Sequence, residues 1–213
     1  MVETVADPEA ELSVRERIVA AARRQFAERG FAGTSLQAVA DAVGIRKPSL
    51  LYHFRSKDIL RRAVLDDVLA HWKSELPRLL AESRSGKDRF AGGVGALVSF
   101  FQADPSRARL IVREMLDQPE LVKQLLTEHV RPWTGLVVDY IRMGQSMGQV
   151  RDDVDADSYV VQIATMVIGT VATGEVSRSM ISGDREDGVA AQISELVRLA
   201  RAGLFNVRPP PGA

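Results

Sequence analysis

The stretch TSLQAVADAVGIRKPSLLYHFRSK, residues 34–57, most constrains what this chain can fold into. Apolar residues recur at three- and four-residue spacing in its first half, which predicts a short amphipathic helix capped by Thr34 or Ser35. Gly44 should end that helix in a left-handed conformation, and Pro48 suits the first turn of a second helix. The pattern therefore predicts two short helices joined by a tight turn.

The spacing of three residues in this stretch favours a helix-turn-helix. Ala40 lets the two helices cross closely, Gly44 makes the turn, and Leu50 holds the second helix on the first. Such a pair places its second helix in the major groove of DNA, although an ordinary helical hairpin with a solvated basic face is the alternative. The candidate DNA contacts are Thr34, Ser35, Gln37, Arg46, Lys47, Pro48, Ser49, Tyr52, His53 and Lys57.

The residues around the turn resemble a known family. The matching residues are Gly30-Phe31-x-Gly33-Thr34-Ser35, Val39-Ala40, Val43-Gly44-Ile45, Leu50, His53-Phe54, Ser56-Lys57-Asp58 and Leu60. Together they resemble the TetR family of bacterial transcriptional regulators, closely over about residues 13–65 and beyond that only in helical layout. One departure is Leu51, which stands where the family usually has a tyrosine that commonly contacts DNA phosphate. Tyr52 or His53 would then carry more of that role, or the contact is absent.

The resemblance implies an all-α fold, with an N-terminal three-helix helix-turn-helix head on a larger helical ligand-binding and dimerisation domain. It also implies a ligand-responsive homodimeric repressor that binds a near-palindromic operator in the cytoplasm. In this mechanism, an effector favours the dimer arrangement whose recognition helices no longer match two major grooves. The alternative is a helical small-molecule-binding protein or enzyme in which the helix-turn-helix is incidental.

Charge is distributed unevenly along a chain whose net charge is zero. Residues 13–62 hold 11 Lys and Arg against 4 Asp and Glu, whereas the other residues hold 17 against 24. A basic module on an acidic body fits a polyanionic partner at one end only, such as double-stranded DNA. A solvated charged face is the simpler explanation, but it would not concentrate basic residues around a helix-turn-helix.

Four segments are predicted from these patterns. Residues 1–12 form a disordered acidic arm without the features of a signal peptide, and residues 13–57 form the DNA-binding domain. Residues 58–206 form the ligand-binding and dimerisation domain, and residues 207–213 form a flexible tail. Within the DNA-binding domain we predict a buried stripe of Val14, Ile18, Ala22 and Phe26, followed by a helix start at Ser56. Beyond it we predict a bend or end at Pro77, a loop over residues 83–87 and a break at Pro132. Helix caps are predicted at Asp104 and Asp117.

The last two predicted helices, residues 156–181 and 188–205, differ in kind from the others. Apolar residues cover nearly the whole circumference of the first, so it should be buried on all sides. The resemblance implies a homodimer through residues 156–205, with Val167 and Val171 at or near the seam. The apolar run over residues 159–174 is too short and interrupted for a membrane span, so no membrane partner is expected.

No catalytic, cofactor or metal motif stands out in the sequence. The chain has no cysteine and three scattered histidines, so neither a disulfide framework nor a metal site is expected. An apolar effector between the body helices is compatible with the composition, although each candidate is more easily explained as ordinary core. The candidate lining residues are Phe100, Phe101, Met115, Trp133, Tyr140, Met143 and Met166.

Overall fold

The computed structural model describes residues 12–71, 78, 86–180 and 188–206. Over these residues the chain forms ten helices, and its only extended pairing is an isolated antiparallel bridge between Val150 and Phe205. The helices are α1 (Val14–Gly33), α2 (Leu36–Val43), α3 (Lys47–His53), α4 (Lys57–Ala70), α5 (Gly86–Ala103), α6 (Pro105–Asp117), α7 (Pro119–His129), α8 (Arg131–Ser146), α9 (Ala156–Arg178) and α10 (Gly188–Leu204). The predicted all-α fold is therefore confirmed.

The chain divides into two compact units, residues 1–68 and residues 69–213. The division falls within α4, so the first unit takes in most of a helix that the sequence analysis assigned to the second domain. The predicted arm, tail and Pro77 bend lie outside the described residues, apart from Leu12. Of the predicted loop at residues 83–87, Gly86 and Lys87 belong to α5, and the rest is outside the described residues.

In the first unit, α1 begins with a reciprocal cap and is interrupted near its end. The Glu16 amide donates to the Ser13 hydroxyl, and the Glu16 carboxylate accepts from the Ser13 hydroxyl and from the Ser13 amide, which lowers the pKa of Glu16. Gly30 adopts φ 73°, a left-handed conformation that glycine takes without steric cost, and this interrupts α1 three residues before its last residue, Gly33.

The core of the first unit lies between α1 and the helices that follow it. Ile18, Ala22 and Phe26 are buried as predicted, but Val14 is exposed because it occupies the first turn, beyond the reach of the packed helices. The predicted stripe is thus one residue too long. At the far end, Ser56 caps α4 by accepting from the Ile59 amide at 3.1 Å, as expected.

The helix-turn-helix is built as the sequence predicted. Gly44 has φ 75° and ends α2, and Pro48 lies in the first turn of α3. Leu50 is 0% exposed and fixes α3 against the core of the first unit. A guanidinium nitrogen of Arg17 donates to the Val43 carbonyl at 2.8 Å, which satisfies one of the free acceptors at the end of α2.

In the second unit, the helix boundaries agree with the predictions at two of three points. Asp104 caps α6 by accepting from the Ser106 amide at 3.0 Å, and the break before Pro132 falls at Val130. The predicted cap at Asp117 is wrong. α6 runs through Asp117, and Gln118 precedes α7 without a side-chain capping bond, because Pro119 already starts that helix.

One face of α9 is exposed, contrary to the prediction that this helix is buried on all sides. Val167 and Val171 are buried within their own unit, where α9 packs against α6 and α10, so they do not lie at an exposed seam. The opposite face carries Gln162, Met166, Gly169, Thr173 and Val176, and Met166 is 39% exposed.

The length and composition of α9 would also allow it to cross a membrane, so the prediction that its apolar run is too short is wrong. A single helix of this kind is weak support for a membrane segment, since helices that pack against protein pass the same test.

Candidate nucleic-acid interface and effector cavity

The exposed surface of α3 and of Arg46 just before it carries half of the predicted DNA contacts. Arg46, Lys47, Pro48 and Ser49 are all exposed at its N-terminal end, and Tyr52 is 85% exposed one turn later. They lie together because Leu50 and the buried Phe54 hold the other side of the helix. The N-terminal half of this helix thus offers two cations, a hydroxyl and an apolar ring, which are groups suited to phosphates, base edges and thymine methyls.

The C-terminal end of α3 shows how Leu51 departs from the family pattern. Leu51 is half-buried, whereas Tyr52 projects into solvent. The ring of His53 lies edge-on to the Tyr52 ring, with the two centroids 5.5 Å apart. An aromatic hydroxyl is therefore present on this helix, one position after the family tyrosine.

The three candidate DNA contacts that precede Arg46 differ in how exposed they are. Gln37 is exposed on α2 and donates to the Asp41 carboxylate at 2.7 Å. Ser35 is exposed, but its hydroxyl accepts from the Ala38 amide at 3.0 Å, so Ser35 rather than Thr34 is the cap. Thr34 is buried, and its hydroxyl lies 2.9 Å from the Gly30 carbonyl oxygen. This corrects the prediction of a side-chain DNA contact by Thr34, because its hydroxyl closes the turn after α1.

Lys57 lies at the start of α4 with its ammonium over the ring of Phe31, a contact that was not predicted from the sequence. Its ammonium lies 4.3 Å from the centroid of the Phe31 ring, and the guanidinium of Arg61 lies 4.1 Å from the same centroid. Stacking on the negative face of a ring favours a cation and restricts its side chain. Lys57 and Arg61, four residues apart on one helical face, were the signal available in the sequence.

Comparison with known proteins agrees with this geometry. The family described as "Bacterial regulatory proteins, tetR family" matches residues 18–64, and the description "Tetracyclin repressor-like, C-terminal domain" matches residues 111–186. The chain belongs to the TetR family. As a TetR-family protein it is a DNA-binding transcriptional regulator, and residues 18–64 contain its helix-turn-helix.

Individual TetR-family regulators resemble the chain over most of its length. It is 26% identical over 183 residues to the HTH-type transcriptional repressor AcnR of Corynebacterium diphtheriae, covering 83% of this chain and 87% of that protein. The ketosteroid transcriptional regulator KstR2 of Mycobacterium tuberculosis has the same fold, with a TM-score of 0.71 and 20% sequence identity. The superposition covers 92% of this chain and 96% of the KstR2 chain. FadR of Bacillus subtilis, solved with stearoyl-CoA, gives a TM-score of 0.70 at 16% sequence identity, and the superposition covers 88% of this chain and 98% of the FadR chain.

The second unit contains a large, mainly apolar cavity. Its volume is about 880 Å³, which lies within the range of roughly 300–1,000 Å³ for small-molecule sites. Aliphatic, aromatic and methionine side chains from α5 to α9 line it, together with Leu69 at the end of α4 and the end of α10. Tyr159 contributes its ring, while its hydroxyl donates to the Ala200 carbonyl at 2.6 Å and its burial raises the pKa of the phenol.

The predicted lining residues are only partly those that the structure brings together. Four of them line the cavity: Phe101, Met115, Tyr140 and Met143. Phe100 instead stacks on His71, with centroids 4.5 Å apart, and lies under the guanidinium of Arg107. Met166 lies on the exposed face of α9, and Trp133 of α8 is not part of the cavity wall. The residues of α9 that do line it, such as Val160 and Ile168, are on a different side of that helix.

Proposed function

We propose that this TetR-family chain is a ligand-responsive homodimeric repressor, acting in the cytoplasm, whose α3 reads a near-palindromic operator. The observation that carries the proposal is the exposed row Arg46–Ser49, held outward by the fully buried Leu50. Lys57 at the start of α4 supplies a phosphate contact beside it. The names of AcnR as a repressor and KstR2 as a regulator support this assignment.

The exposed face of α9 supports the homodimer. Thr173 lies on this face, and its hydroxyl donates to the carbonyl of Gly169 at 2.8 Å. Because this donor is already satisfied, the face can be covered by protein without leaving it unpaired. A second copy about a two-fold axis would present the same surface, and two heads would then read two half-sites. We prefer this occupant to a membrane because TetR-family regulators are DNA-binding proteins.

The cavity supports a response to a small molecule. FadR of Bacillus subtilis, which shares the fold, has been solved with stearoyl-CoA. An effector in this cavity would release DNA only if it binds more tightly to the arrangement of the dimer that cannot span both half-sites. The competing function, a carrier or enzyme with an incidental helix-turn-helix, lacks such support, since the matching proteins named here are regulators.

The proposal is tested by binding the purified chain to a fragment of DNA from immediately upstream of its own coding sequence. We expect specific binding that weakens steeply between about 50 and 200 mM salt, because basic residues release counterions from phosphates. Light scattering should give about twice the 23.4 kDa chain mass. A monomer at micromolar concentration, or DNA binding without a salt slope, would contradict the proposal.

The exposed residues of α3 and Lys57 are expected to have different effects on DNA specificity. Lys47→Ala and Ser49→Ala should change the preferred bases, at a cost of roughly 1–3 kcal/mol where a good base contact is lost. Lys57→Ala should weaken binding about equally on all sequences. Selection of bound sequences from a random pool measures both. Unchanged base preference in both α3 variants would show that this helix does not read the operator.

Leu51→Tyr should tighten DNA binding, because it restores the hydroxyl found at this position in the family. A hydroxyl bond is worth roughly 0.5–1.5 kcal/mol net, so the gain should be less than about fifteenfold. Leu51→Phe is the matched control, since it adds the ring without the hydroxyl. Equal affinities for these two variants, or a lower melting temperature with no gain in affinity, would indicate that Tyr52 already replaces the contact.

A further inference from the structure

The charged groups of the cavity wall all have the same sign. Among the lining residues that the structure describes, Lys123 and Arg131 are basic and none is acidic. Both side chains are exposed, Lys123 on α7 and Arg131 at the start of α8. Thr127 lies between them in the chain and also lines the cavity, so three polar residues around the α7–α8 break form part of its rim, together with the apolar Leu126 and Val130.

The rest of the cavity offers few hydrogen-bond donors to a polar ligand. The hydroxyls of Thr127 and Thr134 donate to the Lys123 and Arg131 carbonyls of their own helices, at 2.8 and 3.2 Å. The hydroxyls of Thr165 and Tyr159 are likewise bonded to backbone carbonyls. A charged or strongly polar group placed deep among these side chains would lose its hydration without replacement, which is costly. An anionic group is therefore favoured at the basic rim, because Tyr140 and Gln149 add only neutral polar atoms to the rest of the wall.

We propose that the effector is an amphiphile, with an apolar tail in the cavity and an anionic head group at Lys123 and Arg131. This inference rests on the proposed function only in taking the cavity as the effector site. Two cations without a carboxylate beside them in the described wall attract an anion and repel a cation, and arginine can bind a carboxylate or phosphate through two parallel hydrogen bonds. A free carboxylate and a coenzyme A thioester share this chemistry.

Four probes with the same twelve-carbon chain separate the head group from the tail. They are dodecanoate, dodecanoyl-coenzyme A, dodecan-1-ol and dodecyltrimethylammonium, each titrated calorimetrically into the full chain below its micelle concentration at about pH 7.5. We expect at least one anionic probe to bind about tenfold or more tightly than the alcohol, and the cation to bind most weakly. The stronger of the two anionic probes identifies the source of the head group.

Removing the two charges while keeping their apolar stems tests the assignment of the rim. Lys123→Met with Arg131→Met should reduce the affinity of the anionic probe by about tenfold and leave the affinity of dodecanol within about twofold. Arg113→Met is the matched control, because Arg113 is exposed on α6 in the same unit and is not part of the cavity wall. Equal binding of all four probes, no binding by any of them, or an unchanged anion affinity in the double variant would overturn the inference.

The same samples separate this inference from the proposed function. Operator release by the anionic probe in the original chain, and its loss in the double variant, would support both. DNA binding without any preference for anionic probes would overturn the head-group assignment and leave the regulator intact. Selective anion binding by a chain that does not bind its upstream DNA would overturn the regulator and leave the head-group assignment standing.

Discussion

Val167→Asp should unfold the second unit, whereas Met166→Asp, one residue earlier, should leave it folded. Val167 is 0% exposed, on the side of α9 that packs against α6 and α10. An unpaired carboxylate there costs roughly 3–5 kcal/mol, a large part of the 5–15 kcal/mol by which a typical domain is stable. We expect circular dichroism to show a melting temperature lowered by 10 °C or more, as an order of magnitude, or no cooperative transition.

Met166→Asp should instead break the proposed dimer. Met166 lies on the exposed face of α9, so an aspartate is solvated in the single chain but is buried near its copy in a two-fold interface. We expect light scattering to give the 23.4 kDa monomer, with a cooperative melting transition whose midpoint falls less than in Val167→Asp, because only the stabilisation by the partner is lost. Operator affinity should fall by about a hundredfold or more, because one head alone loses the gain from binding two linked half-sites.

An experiment can contradict the prediction for Met166→Asp and the prediction for Val167→Asp separately. A stable dimer with normal operator affinity in Met166→Asp would show that the exposed face of α9 is not the interface. An unchanged melting temperature in Val167→Asp would show that the buried side of α9 is assigned wrongly. Val176→Asp is a second test of the same exposed face, since Val176 lies further along it and is also exposed.

Features that depend on neighbouring residues in the chain were predictable from the sequence. The turn at Gly44, the start of α3 at Pro48 and the cap at Ser56 each follow from local backbone chemistry. The exposed row before and within α3 was also predictable, because Leu50 fixes which side of a seven-residue helix faces inward. Local pattern therefore accounts for most of the candidate DNA interface.

Features that depend on which helices pack together were not predictable. An all-round apolar helix such as α9 does not reveal which of its sides meets its own unit, so Val167 was assigned to the seam and Met166 to the cavity. The residues that line the cavity were equally hard to predict, since Phe100 and Phe101 are adjacent in the chain and only Phe101 lines it. Lys123 and Arg131 were missed because surface cations look ordinary until a cavity wall is known.

Leu50→Ala should abolish DNA binding by unfolding the first unit, whereas Leu51→Ala should have a small effect on stability. Leu50 is fully buried and Leu51 is half-buried on the same short helix. Truncating a buried leucine costs roughly 2–5 kcal/mol because it removes apolar contact and leaves a cavity. A unit of 68 residues has a small core, so this loss is a large fraction of its stability.

The decisive measurement compares DNA affinity with ligand binding in the same Leu50→Ala sample. All described residues of the effector cavity lie between Leu69 and Phe205, so binding of a twelve-carbon probe should persist while operator binding is lost. Leu51→Ala, which also removes a leucine side chain from α3, controls for a simple change in the surface of that helix. Normal operator affinity in Leu50→Ala would mean that α3 does not depend on this anchor. Equal loss of affinity in both variants would place the effect on the DNA-facing surface rather than on folding of the head.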